Sequence, residues 1–206
     1  AAQKEPGKKP VPSKKPKPQQ EVVVQIPLSE LHPFPDHPFQ VREDASMQET
    51  AESVKEYGVL VPALARPRED GGYELIAGHR RKHACELAGL ATMPVIVRDI
   101  DRDTATIIMV DSNLQRENIL PSERAKAYKM KMEAIKRQGA RTDLTSPKIS
   151  AKFRSDDEVG QDAGVSGDTI RNYIALTQLV PELQQMVDEK KIALSPAYQI
   201  AALTPK

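Results

Sequence analysis

The sequence has no tryptophan, only one cysteine, and aromatic residues at 4% of its length. A single cysteine excludes an internal disulfide framework and fits a reducing compartment. Cys85 falls within an apolar helical pattern, so it is predicted to be a small core residue rather than a nucleophile. Because aromatic residues are scarce and hydrophobic residues reach 39%, any core must be mostly aliphatic.

Long hydrophobic runs and clustered metal ligands are also missing. No run approaches the roughly 18 apolar residues that a membrane-spanning helix needs, and the N-terminal residues lack the apolar stretch of a secretory signal peptide. His and Cys show no metal-ligand spacing, so no structural zinc site is predicted. We therefore expect a cytoplasmic protein without a membrane partner.

Net charge is small, at +1, but it is unevenly distributed. Residues 1–20 contain six Lys and one Glu, which is a charge of +5 and leaves −4 for residues 21–206. This Lys-, Pro- and Gln-rich segment has too little apolar surface to offset its ordering entropy, so it is predicted to be a disordered basic tail. Any nucleic-acid surface on the rest must be a local basic patch.

Residues 21–118 alternate predicted strands with predicted helices. A capping box, Ser46-Met47-Gln48-Glu49, and the glycine at position 58 predict a helix over about residues 47–57. β-branched and apolar runs predict strands at residues 21–26, 59–66, 73–77 and 93–98. The alternation predicts a small mixed-sheet α/β domain over residues 21–118.

The segment from residue 31 to residue 39 contains three prolines. Each proline disfavours helix at the residue before it, so the segment is predicted to be extended or turning. Its two histidines, His32 and His37, are therefore interpreted as solvated loop residues.

The sequence Gly78-His79-Arg80-Arg81 follows the strand predicted at 73–77 and precedes a helical pattern. A strand that runs into a glycine and then a helix gathers free backbone N–H groups and the positive end of the helix dipole at one place. Cations there oppose the dipole, so the two arginines indicate a bound phosphate that neutralises them. The alternative is a solvated basic patch, because the pattern is short.

A polar octet, residues 111–118 (DSNLQREN), follows an apolar predicted helix. Its carboxylates, amides and arginine could hold a metal–phosphate group. They could equally cap the helix and begin a loop. The residues alone leave both interpretations open.

Residues 119–206 are predicted to form an all-α DNA-binding domain, so the predicted fold class is α+β. Pro121 opens a helix that runs to Gly139, and residues 140–154 are predicted to be a linker or mobile loop. Over about residues 155–177, a helix, a glycine turn and a second helix capped by Ser166 predict a helix-turn-helix, whose second helix enters the DNA major groove.

The second helix of this pair supplies the candidate DNA contacts. Ile170 and Ile174 are assigned to the core, which leaves the other positions facing outward. Arg and Asn side chains can read guanine and adenine edges. The alternative is a plain helical hairpin. The candidate contacts are Ser166, Gly167, Asp168, Thr169, Arg171, Asn172 and Tyr173.

Three stretches together resemble ParB-type partition proteins: residues 58–64 (GVLVPAL), 78–81 (GHRR) and 112–125 (SNLQRENILPSERA), followed by the predicted helix-turn-helix. The resemblance covers roughly residues 21–204. It implies a CTP-binding N-terminal domain, a helix-turn-helix that reads a palindromic parS-like site in double-stranded DNA, and a C-terminal dimerisation domain. It further implies a ParA-type ATPase partner, a homodimer and a nucleoid-associated role in chromosome, plasmid or mobile-element segregation.

The resemblance also implies which residues hold CTP and Mg²⁺. It assigns phosphate contacts to Gly78, Arg80 and Arg81, and Asn113 to the metal. The predicted nucleotide site is completed by His79, Gln115 and Arg116. The sequence ends at Lys206 without a further domain, as expected of a fragment that lacks the dimerisation region.

Two departures from the family's usual motifs affect the expected chemistry. His79 stands where the family usually has the Glu of G-E-R-R, and Ser112 stands where it usually has the Glu of E-N-x-Q-R. A hydroxyl is a poorer Mg²⁺ ligand than a carboxylate and cannot act as a base. The sequence therefore predicts that CTP hydrolysis, if present at all, is slow.

Three functions remain open from the sequence. The first is a CTP-gated, sequence-specific DNA-binding partition protein. The second is a helix-turn-helix transcriptional regulator that binds no nucleotide and uses its arginines on DNA phosphate. The third is an ATP-dependent enzyme, because the α/β part also resembles sulfiredoxin and a free-serine kinase.

Overall fold

The structure is a computed structural model that describes residues 21–116, 118–143 and 155–203. For residues 139, 140–143, 155 and 158 only the backbone is described. The predicted tail at 1–20, Glu117 and most of the predicted linker at 140–154 lie outside the described residues.

Five strands form one mixed sheet: β1 (Val23–Pro27), β2 (Leu31–Pro33), β3 (Ala63–Pro67), β4 (Tyr73–Ala77) and β5 (Thr92–Val97). Their order is β1-β5-β3-β4-β2. β1–β5 and β3–β4 are antiparallel, whereas β3–β5 and β2–β4 are parallel. The predicted mixed sheet is confirmed. β2 was missed, because its three residues lie in the proline-rich segment that predicted a loop.

Eight α-helices lie in the described ranges: α1 (Ala45–Tyr57), α2 (His79–Leu87), α3 (Arg102–Leu114), α4 (Pro121–Asp143), α5 (Ser155–Ala163), α6 (Gly167–Ala175), α7 (Pro181–Asp188) and α8 (Leu194–Leu203). After residue 120, the described residues form helices joined by short turns, with no strand among them. None of these helices is both long and apolar enough to cross a lipid bilayer.

The start of α1 differs from the prediction. Asp44, rather than Ser46, is the N-cap, and its carboxylate accepts a hydrogen bond of 2.9 Å from the Met47 backbone N–H. A carboxylate both caps the helix and complements its dipole, so the helix begins two residues earlier than predicted. Its end at Gly58, where φ is 72°, agrees with the predicted C-terminal glycine.

Two further boundaries were wrong for identifiable reasons. β3 begins at Ala63 and not at residue 59, since Pro62 has no N–H to donate to a neighbouring strand. α3 continues to Leu114, so Asp111, Ser112 and Asn113 lie in its last turn rather than in a loop after it.

The sheet packs helices on both faces. On one face, Met47 and Val54 of α1 and Cys85 of α2 meet Leu75 and other buried strand residues. On the other face, Ile76 meets Phe34, Phe39 and the buried residues of α3 and α4. Cys85 is fully buried, as predicted for a core residue. The carboxyl end of β4 therefore lies between the two helical layers.

The helix α4 joins the sheet layers to the later helices. Ala127 packs with the residues behind the sheet, whereas Ala125 and Tyr128 pack against residues of α6, α7 and α8. Ile170 of α6 is fully buried, as predicted. A single helix therefore contacts both parts of the molecule.

Candidate functional site

Gly78 forms the turn between β4 and α2. Its φ of 111° is a left-handed conformation, and it occupies the N-cap position of α2. A Cβ at this position would lie 2.8 Å from the Cβ of Ala63, so no other residue fits without displacing β3. The glycine thus brings the first turn of α2, with its free N–H groups, to the carboxyl end of β4.

A cavity of about 250 Å³ lies at this turn. It receives residues from the segment after β2, from the first turn of α2 and from the last turn of α3. Six of the seven residues predicted to bind a nucleotide line it. Those six are Gly78, His79, Arg80, Arg81, Asn113 and Arg116.

Gln115 is the exception. It lies with Asp111, Arg124 and Tyr128 at a different cavity, of about 490 Å³, between α3, α4 and α5. Because α3 is helical through Leu114, residues 113 and 115 cannot both face the same side of it.

The cavity at Gly78 is strongly basic. Arg80, Arg81 and Arg116 line it, and no carboxylate is among its described lining residues. A second cavity, of about 270 Å³, shares Arg80 and Arg116 with the first and adds Arg42, Asp44 and Glu123. The two adjoining cavities together reach the size of a small-molecule site, which is roughly 300–1,000 Å³.

Arg80 and Arg81 hold different positions despite being neighbours. The Arg80 guanidinium lies 3.2 Å from Ser46 Oγ and 3.7 Å from Asp44 Oδ1, at the start of α1. With five N–H donors, it retains several for a ligand. Arg80 is therefore the arginine best placed to contact an anion in both cavities.

Arg81 is bound to the protein itself. Its Nη1 donates to the carbonyl oxygens of Val61 and Pro62, each at 2.6 Å. Burial lowers the pKa of Arg81, partly opposed by Cys85. The side chain thus fixes the segment that leads into β3, a role the sequence pattern did not indicate.

Ser112, Asn113 and Arg116 form a hydrogen-bonded group at the end of α3. Ser112 Oγ and Asn113 Nδ2 both donate to the carbonyl oxygen of Met109, at 2.9 and 2.8 Å. Asn113 Oδ1 accepts a long hydrogen bond of 3.5 Å from Arg116. The amide oxygen of Asn113 is therefore directed to the basic side of the cavity.

Ser112 and Asn113 could bind Mg²⁺ only together with a phosphate ligand that supplies further oxygen atoms. Mg²⁺ requires about six oxygen ligands, often including one or two carboxylates. Asn113 and Ser112 supply an amide oxygen and a hydroxyl, and the described lining residues include no carboxylate. Nor does any group of three or more His, Cys, Asp or Glu among the described residues have metal-binding geometry. Phosphate oxygens and water would have to complete the coordination.

His37 belongs to the cavity, although the sequence placed it in solvent. Its ring lies against that of His79, with centroids 3.9 Å apart and the planes inclined by 46°. Phe34 and Phe39 on either side are buried against the sheet, and they draw the segment over the cavity. These two phenylalanines were the signal in the sequence that could have shown that His37 is not a solvated loop residue.

Glu123 of α4 also holds the segment that carries His37. Its Oε1 accepts a hydrogen bond of 3.0 Å from the Gln40 N–H, and its Oε2 accepts one of 3.1 Å from the Leu120 N–H. The second bond caps α4. Sequence analysis missed this residue, since its partner lies 83 positions away.

The predicted DNA contacts on α6 divide into exposed and packed residues. Ser166 caps α6, as predicted, by accepting from the Thr169 N–H at 3.2 Å. Asp168, Arg171 and Asn172 are exposed. Arg171 pairs with Asp156 of α5 and with Asp168, and these bonds raise its pKa.

Two candidates pack against other residues of the protein. Tyr173 packs against Tyr128 and Tyr198, with ring centroids 5.7 and 6.2 Å away, and Arg124 lies over its ring. Gly167 is buried against Asp157. The outward position predicted for Gly167 was wrong. Tyr173 is half-buried, because it completes the aromatic contact between α4, α6 and α8.

Comparison with known proteins places these features in a family. The model of the family described as "ParB N-terminal domain" matches residues 12–114. The chromosome-partitioning protein Spo0J of Thermus thermophilus is 34% identical over 185 residues, covering 89% of this chain and 61% of that protein. Stage 0 sporulation protein J of Bacillus subtilis is 30% identical over 187 residues, covering 91% of this chain and 60% of that protein.

A solved structure is also similar. It is the C-terminally truncated chromosome-partitioning protein ParB from Caulobacter crescentus, complexed to the centromeric parS site. The TM-score is 0.56 at 28% identity, over 87% of this chain and 84% of that one. The chain spans about 60% of the length of the two sequence relatives. From the family match and the shared fold, the chain belongs to the ParB family of partition proteins.

Proposed function

We propose that this chain is the nucleotide- and DNA-binding part of a partition protein that binds a parS-like palindrome and is gated by CTP. The observation that carries the proposal is the cavity at Gly78. It joins a helix N-terminus, three arginines and Asn113 at the carboxyl end of a strand, in a chain of the ParB family. This is the arrangement that a polyphosphate requires.

In this proposal each part of the cavity has a distinct role. The N–H groups of the first turn of α2 and the Arg80 and Arg116 guanidinium groups bind the phosphates. Arg81 holds the segment before β3 through Val61 and Pro62. Asn113 would hold Mg²⁺ through its amide oxygen, and the ion would supply positive charge that offsets the phosphates. The choice of cytosine rests on the family resemblance.

Hydrolysis is proposed to be slow or absent. Neither Ser112 nor Asn113 can take a proton from water, and no carboxylate is among the described residues that line the cavity at Gly78. The carboxylates of the adjoining cavity, Asp44 and Glu123, accept backbone hydrogen bonds at the starts of α1 and α4. The two histidines of the cavity are weak bases, because burial lowers the pKa of each ring. A bound nucleotide would then persist and favour a long-lived state of the protein.

For DNA, we propose that α5 and α6 act as a helix-turn-helix with α6 in the major groove. The similarity to the Caulobacter protein solved on parS supports this, because that likeness extends over 87% of the chain. On α6, Thr169 and Asn172 would contact base edges. Ser166 would contact backbone phosphate. Arg171 would hold α5 and α6 together through Asp156.

The assembly and context of the whole protein are proposed by the same resemblance. A palindromic site is read most simply by a homodimer, since the two-fold symmetry of the site then matches that of the protein. A ParA-type ATPase would be the partner that moves the complex. Action would be at the nucleoid in the cytoplasm, on a chromosome, a plasmid or a mobile element.

A nucleotide panel tests the proposal. Calorimetric titration of CTP, ATP and GTP, with Mg²⁺ and with or without a parS duplex, should give saturable binding for CTP alone. Saturable ATP binding would favour the enzyme related to sulfiredoxin. DNA binding without any nucleotide binding would identify a plain helix-turn-helix regulator.

A further inference from the structure

His37 and His79 leave two buried nitrogen atoms without partners inside the basic cavity. Neither Nε2 has a hydrogen-bond partner among the described residues, although both atoms are shielded from solvent. Both residues line the cavity beside Arg80 and Arg116. A buried polar atom without a partner is costly, so these two atoms are placed to meet something that enters the cavity.

The hydrogen bonding of His37 identifies the nitrogen that can take up a proton. His37 Nδ1 lies 2.7 Å from the carbonyl oxygen of Phe39. A carbonyl oxygen only accepts, so Nδ1 donates its hydrogen. The neutral ring then carries its lone pair on Nε2, the unpartnered atom.

The surroundings keep both rings neutral before a ligand binds. Burial, together with charge repulsion from a protonated His37 and from Lys82, lowers the pKa of His79 to about 3. Burial also lowers the pKa of His37. The hydrogen bond to the Phe39 carbonyl opposes this shift, the charge of Arg116 adds to it, and the charge of Glu123 opposes it, with burial the largest effect. Arg80 and Arg81 also line this cavity. Their positive charges, like those of Lys82 and Arg116, favour the neutral form of both imidazoles.

We propose that the His37–His79 pair is a proton-uptake site, so that a polyphosphate enters this cavity together with a proton and binds more tightly as the pH falls. The inference rests on the proposed nucleotide function and deepens it. A triphosphate brings up to about four negative charges beside the rings, and these charges favour the protonated form of the pair. Two imidazolium ions at this separation repel each other, so the pair takes up about one proton between them.

The sign of the pH dependence follows from linkage. Binding raises the pKa of the pair, so the bound state holds more protons than the free state. Affinity therefore increases as the pH falls through the pKa of the bound state, and levels off below that of the free state. With one proton taken up, the dissociation constant changes by at most about tenfold per pH unit.

Calorimetry can count the protons. The 206-residue chain is titrated with inorganic triphosphate and with CTP near pH 6.5, the ordinary imidazole pKa, in buffers of different ionisation enthalpy. Wild type should take up about one proton more than the variant H37Q/H79Q. The ligand's own phosphate titration is the same for both proteins and cancels in the difference. H32Q is the matched control, because His32 does not line the cavity, and it should keep the wild-type count.

A second measurement does not depend on a variant. NMR titration of the wild-type histidine resonances should show that triphosphate raises the pKa of the His37–His79 pair. Equal proton uptake by wild type and the double variant, or unmoved histidine pKa values on binding, would overturn the inference while leaving nucleotide binding intact. Uptake with triphosphate but no binding of CTP would overturn only the cytidine assignment. If neither ligand binds, both the inference and the proposed function are wrong.

Discussion

Lys131 and Asp111 form an ion pair between α4 and α3, with Lys131 Nζ 2.7 Å from Asp111 Oδ1. The same ammonium lies 2.9 Å from Asp162 Oδ2 of α5 and is only 1% exposed. Burial opposes its charge, but the two carboxylates outweigh burial and raise the pKa of Lys131. One buried charge thus links the helix that carries Ser112 and Asn113 to the first helix of the proposed DNA-binding pair.

This geometry predicts an unequal effect of removing either side of the ion pair. The variant D111N/D162N leaves a buried ammonium without a counter-ion, so the free energy of unfolding should fall by about 3–5 kcal/mol. K131M should cost less, because both carboxylates are about half exposed and remain hydrated. Urea denaturation measures both. A larger loss in K131M would show that Lys131 contributes through packing instead.

Substitutions of the neighbouring residues Arg80 and Arg81 should differ in their effects on nucleotide binding and on stability. R80A should abolish nucleotide binding with a loss of stability below about 1 kcal/mol, because the two partners of Arg80, Ser46 at 3.2 Å and Asp44 at 3.7 Å, are both exposed. R81A should lower stability by about 1–3 kcal/mol, since it leaves two carbonyl oxygens without their charged donor. Thermal unfolding and calorimetry together test this. Equal stability of the two variants would contradict the role given to Arg81.

On α6, sequence specificity should depend on Asn172 more than on Arg171. Asn172 is exposed, whereas the Arg171 guanidinium is bonded to Asp156 and Asp168. N172A should lose about 1–3 kcal/mol on the specific duplex and little on a scrambled one. R171A should weaken both duplexes similarly and lower the melting temperature. Selective loss in R171A would mean that the guanidinium leaves its carboxylates to read a base.

Restoring the carboxylate at position 112 should increase turnover. S112E supplies the charge and the basicity that the cavity lacks, so phosphate release from CTP should rise above that of wild type. S112Q is the matched control, because it has nearly the same size without the charge. A rise in both variants, or in neither, would contradict the explanation for slow hydrolysis.

Local patterns predicted much of this structure, and long-range contacts account for what they missed. Strand β4, the Gly78 turn and α2 could be predicted because their residues are consecutive and the turn depends on one glycine. The packing of Tyr173, the bond from Gln40 to Glu123 and the contact of His37 with His79 all join residues far apart in sequence. None of them leaves a periodic signal.

The ends of helices were predicted less well than their existence. Asp44 and Asp101 each precede their helix by one residue and cap it through the side chain, whereas the predicted cap of α1 was Ser46. Several Ser, Thr and Asp residues compete at each of these sites, and their tertiary contacts decide the outcome. Ser46, left out of the cap, instead meets Arg80.

We expect this chain to couple a cytidine nucleotide to a DNA site, so that each ligand changes the affinity for the other. Fluorescence anisotropy would measure the affinity for a parS duplex with and without saturating CTP and Mg²⁺, using R80A as the control. Coupling between two sites commonly changes affinity by about 5–150-fold, and the same factor must appear in CTP affinity when DNA is present. We predict such a change in wild type and its absence in R80A. Identical DNA affinity in wild type with and without CTP would contradict the account.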